Sequence, residues 1–429
     1  MTRRPTLSGS LALVACLIAA CLLAAASPAP GGDWPQWRGP DRDGRAPGFQ
    51  APAAWPDSLR REWRTEVGEG HAGPVVVGDR VYVHARLHDL ETLSCLSLAS
   101  GEVLWRQTNP APYEMHPAAR GHGKGPKSTP AVAGGRVFTL GITGILSSRD
   151  AASGELLWRW DSEGRFPASA PVFGTATSPL VVGDLVIAHL GGAEGGALLA
   201  LAADSGVERW RWEDDGPGYA SPVVVDAGGP VLVTQSERFC LALDAATGQE
   251  LWRLPFTTPY DQNIVTPVLL GPGTVALSGL EQGTLAVRLE RGEAGLQVRE
   301  LWNNPQDWLY MASPVVAGGR LFGLTRKYRG RLFCLEAETG RRLWEGPGER
   351  GDNAVLVDLG SALLVLSTEA HLAVVSTSAP DYSLLAEYRV AESPTWAHPA
   401  LAGDRLLVKD KTHLASWRLP AAESGKTAP

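Results

Sequence analysis

Residues 244–252 read DAATGQELW: an aspartate, a small-residue turn closed by Gly248, then a short strand ending at Trp252. The phrase returns as SGEVLW to Trp105, SGELLW to Trp158, SGVERW to Trp210 and TGRRLW to Trp344, with a shorter RELW at Trp302. A phrase recurring every 40 to 50 or so residues marks stacked supersecondary units, none of which buries a core alone.

A second landmark precedes most of these tryptophans: a small residue, Pro, then a β-branched run ending in a Gly turn. Gly73-Pro74 opens PVVVGDRVYV, Thr129-Pro130 opens PAVAGGRVFTL and Ser178-Pro179 opens PLVVGDLVIA. Ser221-Pro222, Thr266-Pro267 and Ser313-Pro314 open the next three. Each unit reads as four short strands: a Val-rich one, a tight hairpin, a second, then a third (SCLSL, FCLAL, FCLEA) turned into the strand that ends in Trp. Four-stranded antiparallel units at this spacing are propeller blades.

Trp105 to Trp344 marks six blades. A seventh runs from Ala354 through VLVDLG, LLVLST and HLAVVS to EYRV at Tyr388, and an eighth starts at His398-Pro399 and stops one strand short. The missing strand lies at the other end, where LRREWRTEV places Trp63 one repeat length ahead of Trp105. The expected fold is therefore all-β: a single eight-bladed propeller of four-stranded antiparallel blades, closed by an N-terminal strand that completes the last blade and removes an open edge. The blades span 58–419, behind an N-terminal extension (27–57) and ahead of a flexible tail (420–429).

Residues 1–26 carry Arg3 and Arg4 and then an apolar, Ala-rich run to Ala26, a secretory signal rather than a spanning helix. Ala24-Ala25-Ala26 offers a signal-peptidase site, Ile18-Ala19-Ala20-Cys21 fits a lipobox that would leave Cys21 acylated, and Thr2-Arg3-Arg4 fits twin-arginine export. All three send the chain out of the cytoplasm, to the periplasm or the outer membrane, with a lipid on Cys21 as the membrane tether. Beyond that stretch only Cys95, Cys240 and Cys334 remain, each in the third strand of a non-adjacent blade, so they read as small apolar packing residues. A net charge of −7 argues against a nucleic-acid partner, which needs a basic face.

The loops after strands two and four share one face and are long, whereas the opposite face holds tight Gly turns; a site belongs on the long-loop face, around the channel. The loop after blade one brings His122, Lys124 and Lys127, together with Tyr113 and His116. Later blade-to-blade loops bring Tyr260, Asp261 and Asn263, then Asn303 and Trp308, then Asn353, and finally Trp396 and His398. Loops after second strands add Arg326, Lys327 and Lys409. Aromatic, amide and cationic side chains on one axis suit a planar anion, a small polar ligand or a polar polymer. The aromatics Trp308, Tyr310 and Trp396 also suit stacking on sugar rings. His116 and His122 lack a third ligand at metal spacing, and Asp41-Arg42-Asp43-Gly44 lacks the remaining ligands of a calcium loop, so no metal site is assigned. No nucleophile elbow, zinc helix, P-loop or dinucleotide fingerprint occurs, and no catalytic residue is assigned.

The units DAATGQELW, SGEVLW and TGRRLW, with their Ser-Pro-Val-Val strands, resemble the pyrroloquinoline-quinone (PQQ) type propeller repeat. The segment DWPQWRGPDRDG (33–44) is similar to the start of secreted bacterial members. That family includes quinoprotein dehydrogenases, which hold PQQ over calcium, and the outer-membrane assembly lipoprotein BamB, which has the same propeller and binds no cofactor. The dehydrogenases are longer and place Glu, Asn and Asp around calcium, often beside a vicinal disulfide; this chain shows neither feature. The resemblance implies a monomeric, non-catalytic binding or scaffolding platform with an envelope protein partner. The alternative is a small PQQ-dependent oxidoreductase acting on alcohols or sugars, in which Arg326 or Lys327 meets the quinone and Trp308 or Trp396 stacks on it.

Overall fold

A computed structural model describes residues 32–168, 170–192 and 195–420. Its thirty-two strands form eight four-stranded antiparallel sheets arranged in sequence order. Blade one is β2–β5 (Val75–Pro110) and blade seven is β26–β29 (Ala354–Arg389). Blade eight takes β30–β32 (Ala400–Arg418) from the C-terminal end and β1 (Arg60–Glu66) from the N-terminal end. The pairing of β1 with β32 is the expected closure, Arg60 opposite Arg418 and Glu66 opposite His413. The signal and its Cys21 lie outside the described residues, as do 421–429 of the expected tail. Among the described residues no helix is long and apolar enough to cross a membrane.

The repeated phrase has a mechanical meaning. In blade one Cys95 pairs with Trp105 and Leu96 with Val103, so Leu104 is an extra residue bulged outward. The same shift occurs just before Trp158, Trp210, Trp252, Trp302 and Trp344. A bulge bends and twists the outer strand, and here it leaves Leu104 and Leu157 exposed while Trp158 is buried.

The recurring Gly of the phrase is the other half of that contact, one blade on. A Cβ on Gly248 would stand 2.4 Å from the Trp210 ring, and one on Gly101, Gly154, Gly206 or Gly340 would collide with Trp63, Trp105, Trp158 or Trp302. Each of these glycines also has a positive φ, which L side chains resist. The indoles of Trp63, Trp158, Trp210 and Trp302 donate to carbonyls of the neighbouring blade, at Leu98, Ala203, Ala245 and Ala337 (3.0–3.2 Å). Among the described residues, apolar clusters fill the spaces between blades, so the core is a ring of interfaces rather than one central mass. Cys95, Cys240 and Cys334 are buried in these interfaces as thiols.

The small residue before each repeat proline also has a structural task. The Thr129 hydroxyl accepts from the Gly73 N–H (2.9 Å), Ser178 from Thr129 (3.0 Å), Ser221 from Ser178 (2.9 Å), Thr266 from Ser221 (3.4 Å) and Ser313 from Thr266 (3.2 Å). Six blades are thus laced together around the channel by side chains that satisfy buried backbone donors.

Residues 33–45, expected as part of an extension, are inside the ring. Trp34 exchanges backbone hydrogen bonds with Val76 (2.8 Å each), Pro35 accepts from Val132, and Gly44 accepts from Asp358. Arg42 donates to the carbonyls of Ser178 and Pro179 in blade three, while Arg38 donates to Pro314 in blade six and to Asp43. Trp34, Arg38 and Arg42 are almost completely buried. The innermost strand of every blade has one edge facing the channel, and this segment pairs with part of that edge.

Candidate functional site

The channel is closed from the short-turn side and open on the long-loop side. Asp33 accepts from the Gly78 N–H at a hairpin of the short-turn face, and the segment then rises to Trp37, whose indole donates to Thr266 Oγ1 (3.2 Å). Trp37 forms part of a cavity of about 190 Å³. His398 lies against both tryptophans, stacked on Trp34 (6.2 Å between rings) and edge-on to Trp37 (5.0 Å).

Seven of the cavity residues obey one rule: each stands three positions before a repeat proline. They are His71, Lys127, Ala176, Tyr219, Ile264, Met311 and Trp396, one per blade from blades one to six and eight. Each loop reaches its inner strand by the same path, so the third residue back always meets the axis. Blade seven, without that proline, contributes Asn353. A wider cavity of about 480 Å³ adjoins the first and shares Phe173, Tyr219, Gln262 and Tyr310 with it. Its wall adds Glu237, Tyr260 and Asp261.

The two cavities differ in charge. The Lys127 ammonium donates to the Phe173 carbonyl (2.7 Å), and burial alone pulls its pKa down to about 8. His71 is held well below the usual histidine range by burial and then by the charges of Lys127 and Lys409, and His122 is lowered by burial and Lys127. Both imidazoles are therefore neutral at pH 7. In the outer cavity burial, reinforced by Asp215 and Asp261, lifts the Glu237 carboxyl to about 7. His71 stacks on Trp396 (5.4 Å, 14° between planes), and His122 stands edge-on to both Trp396 (5.4 Å) and Phe173 (5.6 Å).

Of the residues singled out in the sequence, the structure brings His122, Lys127, Asn353 and Trp396 to the central cavity and Tyr260 and Asp261 to the outer one. Others serve the scaffold. The Asn263 amide is fully buried and donates to the carbonyls of Ser236, Glu237 and Phe256. Lys409, expected in a loop, is the last residue of β31 in blade eight and is buried, donating to the Gly70 carbonyl (2.7 Å). The His398 Nδ1 faces the Pro399 carbonyl beneath the floor. The rest stand on the rim: Lys124 and Asn303 are exposed, Arg326 lies over the Tyr310 ring (5.3 Å), and Lys327 over Trp308 (5.4 Å). His71, Phe173, Tyr219 and Trp37 are cavity residues that loop composition did not single out. Counting back from each proline finds His71 and Tyr219; nothing local finds Trp37.

A calcium-held quinone does not fit this donor set. Among the described residues the central cavity has no carboxylate in its wall. Among the described residues no three His, Cys, Asp or Glu side chains are placed to hold a metal ion.

Fold and site define an eight-bladed propeller with a plugged channel and a cationic, aromatic bowl. A family model described as "Outer membrane protein assembly factor BamB" matches residues 89–346, and the chain belongs to this PQQ-like propeller family. It is 29% identical over 230 residues to BamB of Shewanella oneidensis, covering 50% of this chain and 55% of that one; the chain spans about half the length of the curated relatives it matches. Among solved structures, BamB from Moraxella catarrhalis superposes with a TM-score of 0.63 at 15% identity, covering 86% of this chain and 99% of that one. A quinohemoprotein alcohol dehydrogenase from Pseudomonas putida gives 0.67 at 14%, covering 93% and 82%. At such identities the structural likeness carries the fold alone.

Proposed function

We propose that this protein is an exported propeller that serves as a non-catalytic binding platform in the cell envelope, docking a protein partner of outer-membrane assembly on its long-loop face. The family and its relatives, named for outer membrane protein assembly, support the setting. One observation carries the platform reading: two rim turns hold bulky aromatics out in water on strained backbone. Tyr260 is 82% exposed and Tyr328 is 66% exposed, and both have positive φ, as do their neighbours Asp261 and Arg329. Left-handed conformations are costly for such residues, and each adds of order 1 kcal/mol that the fold must supply elsewhere. Tyr328 is further backed by the Arg331 guanidinium 3.9 Å above its ring. Tyrosine and arginine held in place before binding are typical anchors of protein interfaces.

A photo-crosslinking residue at position 260 or 328, used in the native host, tests the reading directly. An outer-membrane assembly protein captured at both positions supports it; no envelope protein captured at either overturns it. Titration with PQQ, with and without calcium and followed by dye-linked alcohol oxidation, addresses the oxidoreductase alternative. Saturable calcium-dependent binding with turnover would replace the platform reading.

A further inference from the structure

The outer cavity joins acids to aromatic rings. Its wall carries the carboxyls of Glu237 and Asp261 and the rings of Phe173, Tyr219, Tyr260 and Tyr310, and among the described residues no lysine or arginine lines it. At about 480 Å³ it has room for a small molecule. The Glu237 carboxyl is brought close by a glycine, since a Cβ on Gly216 would stand 2.8 Å from its Oε2. Neighbouring Arg238 is committed to Asp215 (2.7 Å). Burial, and then the charges of Asp215 and Asp261, lift the Glu237 pKa to about 7 against the pull of Arg238. Acids crowded in this way lack a cation, and one entering the cavity relieves their repulsion.

The rings select the kind of cation. The Tyr310 hydroxyl donates to Gln262 Oε1 (2.6 Å), and the Tyr219 hydroxyl accepts from the Phe173 N–H (3.4 Å), so both phenols are pinned. Phe173 and Tyr219 stand edge to face (6.1 Å). Arg326, which is outside this wall, lies over the Tyr310 ring (5.3 Å), so that ring already takes a cation. Fixed aromatic rings beside negative charge are the setting in which quaternary ammonium groups are recognised. The Lys127 ammonium, tied to the Phe173 carbonyl, repels such a cation from the central cavity and keeps it at the outer end.

We infer that the outer cavity binds a small quaternary ammonium compound, its cationic head between Glu237 and Asp261 and against the rings of Tyr219, Tyr260 and Tyr310. This does not rest on the platform reading: the purified protein binds the cation without a docked partner.

Isothermal titration of the purified protein at pH 8, where Glu237 is ionised, with choline and with 3,3-dimethylbutan-1-ol, the same shape without the charge, tests this. Choline is expected to bind at least about tenfold more tightly than the alcohol. Glu237→Gln combined with Asp261→Asn should remove that preference and leave the alcohol unchanged. Tyr260→Ala should weaken choline about threefold, and Tyr260→Phe should restore it, because the ring and not the hydroxyl meets the cation. Phosphocholine should bind more weakly than choline, since its phosphate faces the same carboxylates. Equal binding of choline and the alcohol, no binding of choline at millimolar concentration, a preference that survives the double substitution, or tighter binding of phosphocholine, as a lipid-headgroup site would show, overturns the proposal. The wild-type comparison decides by itself, so a variant that unfolds does not protect the idea. Crosslinking at position 328, outside this cavity, is read separately, so either proposal can fail alone.

Discussion

Between blades three and four, Trp210 lies on Gly248 and donates to the Ala245 carbonyl, and equivalent contacts return round the ring. In the channel, Trp34, Arg38 and Arg42 come from one stretch and touch blades one, three and six through contacts that occur once. The periphery divides its stability among similar latches, so loss of one leaves the others. The centre concentrates its contacts in thirteen residues, 33–45, with no second copy. Blade seven shows what the periphery tolerates. Ala386 stands where the other blades place Trp, opposite Val374, and Tyr388 two residues on donates to the Pro56 carbonyl (2.7 Å).

The sharpest way to break this contrast is Trp34→Ala. Truncating a fully buried indole costs about 3–5 kcal/mol, and denaturant unfolding should show a loss of that size; a loss below that of a single peripheral latch would make the plug ornamental. At the periphery, Gly248→Ala should cost about 2–3 kcal/mol, from positive φ together with collision against Trp210. Gly135→Ala has nearly the same φ with open space around its Cβ, and should cost only about 1 kcal/mol. Equal melting temperatures for the two would remove the indole contact from the account.

Acid should attack the centre before the rim. Burial, with Arg38 nearby, pushes the His398 pKa down to about 3, the Pro399 carbonyl opposing weakly. A depressed histidine gives stability that is complete above the unfolded value near 6.5 and disappears as pH falls toward the folded value. From pH 7 to pH 5 this one group removes about 2 kcal/mol, and His398→Gln should flatten the drop in unfolding free energy by about that much. An unchanged slope would mean His398 is already protonated in the fold. The smallest effect is expected in the hydroxyl ring: Ser178→Ala leaves the buried Thr129 N–H without an acceptor, for about 1 kcal/mol. Hydrogen exchange should localise the change to that amide.

The site itself was legible in part. Lys127 and Trp396 stood out as polar and aromatic residues in long loops, but so did Asn263 and Lys409, whose side chains turn into the scaffold to satisfy backbone carbonyls. Residue type does not say which way a side chain points. A positional rule would have done better than chemistry, because a periodic backbone returns the same sequence offset to the same radius.

By itself the sequence determined the blade count, the closure by an N-terminal strand and the face that carries long loops, because each follows from short-range strand pairing repeated at a fixed period. Only the tertiary structure decided that residues 33–45 plug the channel, that Trp37 lines the cavity and that the Lys127 ammonium is tied to the Phe173 carbonyl there. Those facts depend on residues from several blades meeting at the axis. No local propensity encodes such a meeting.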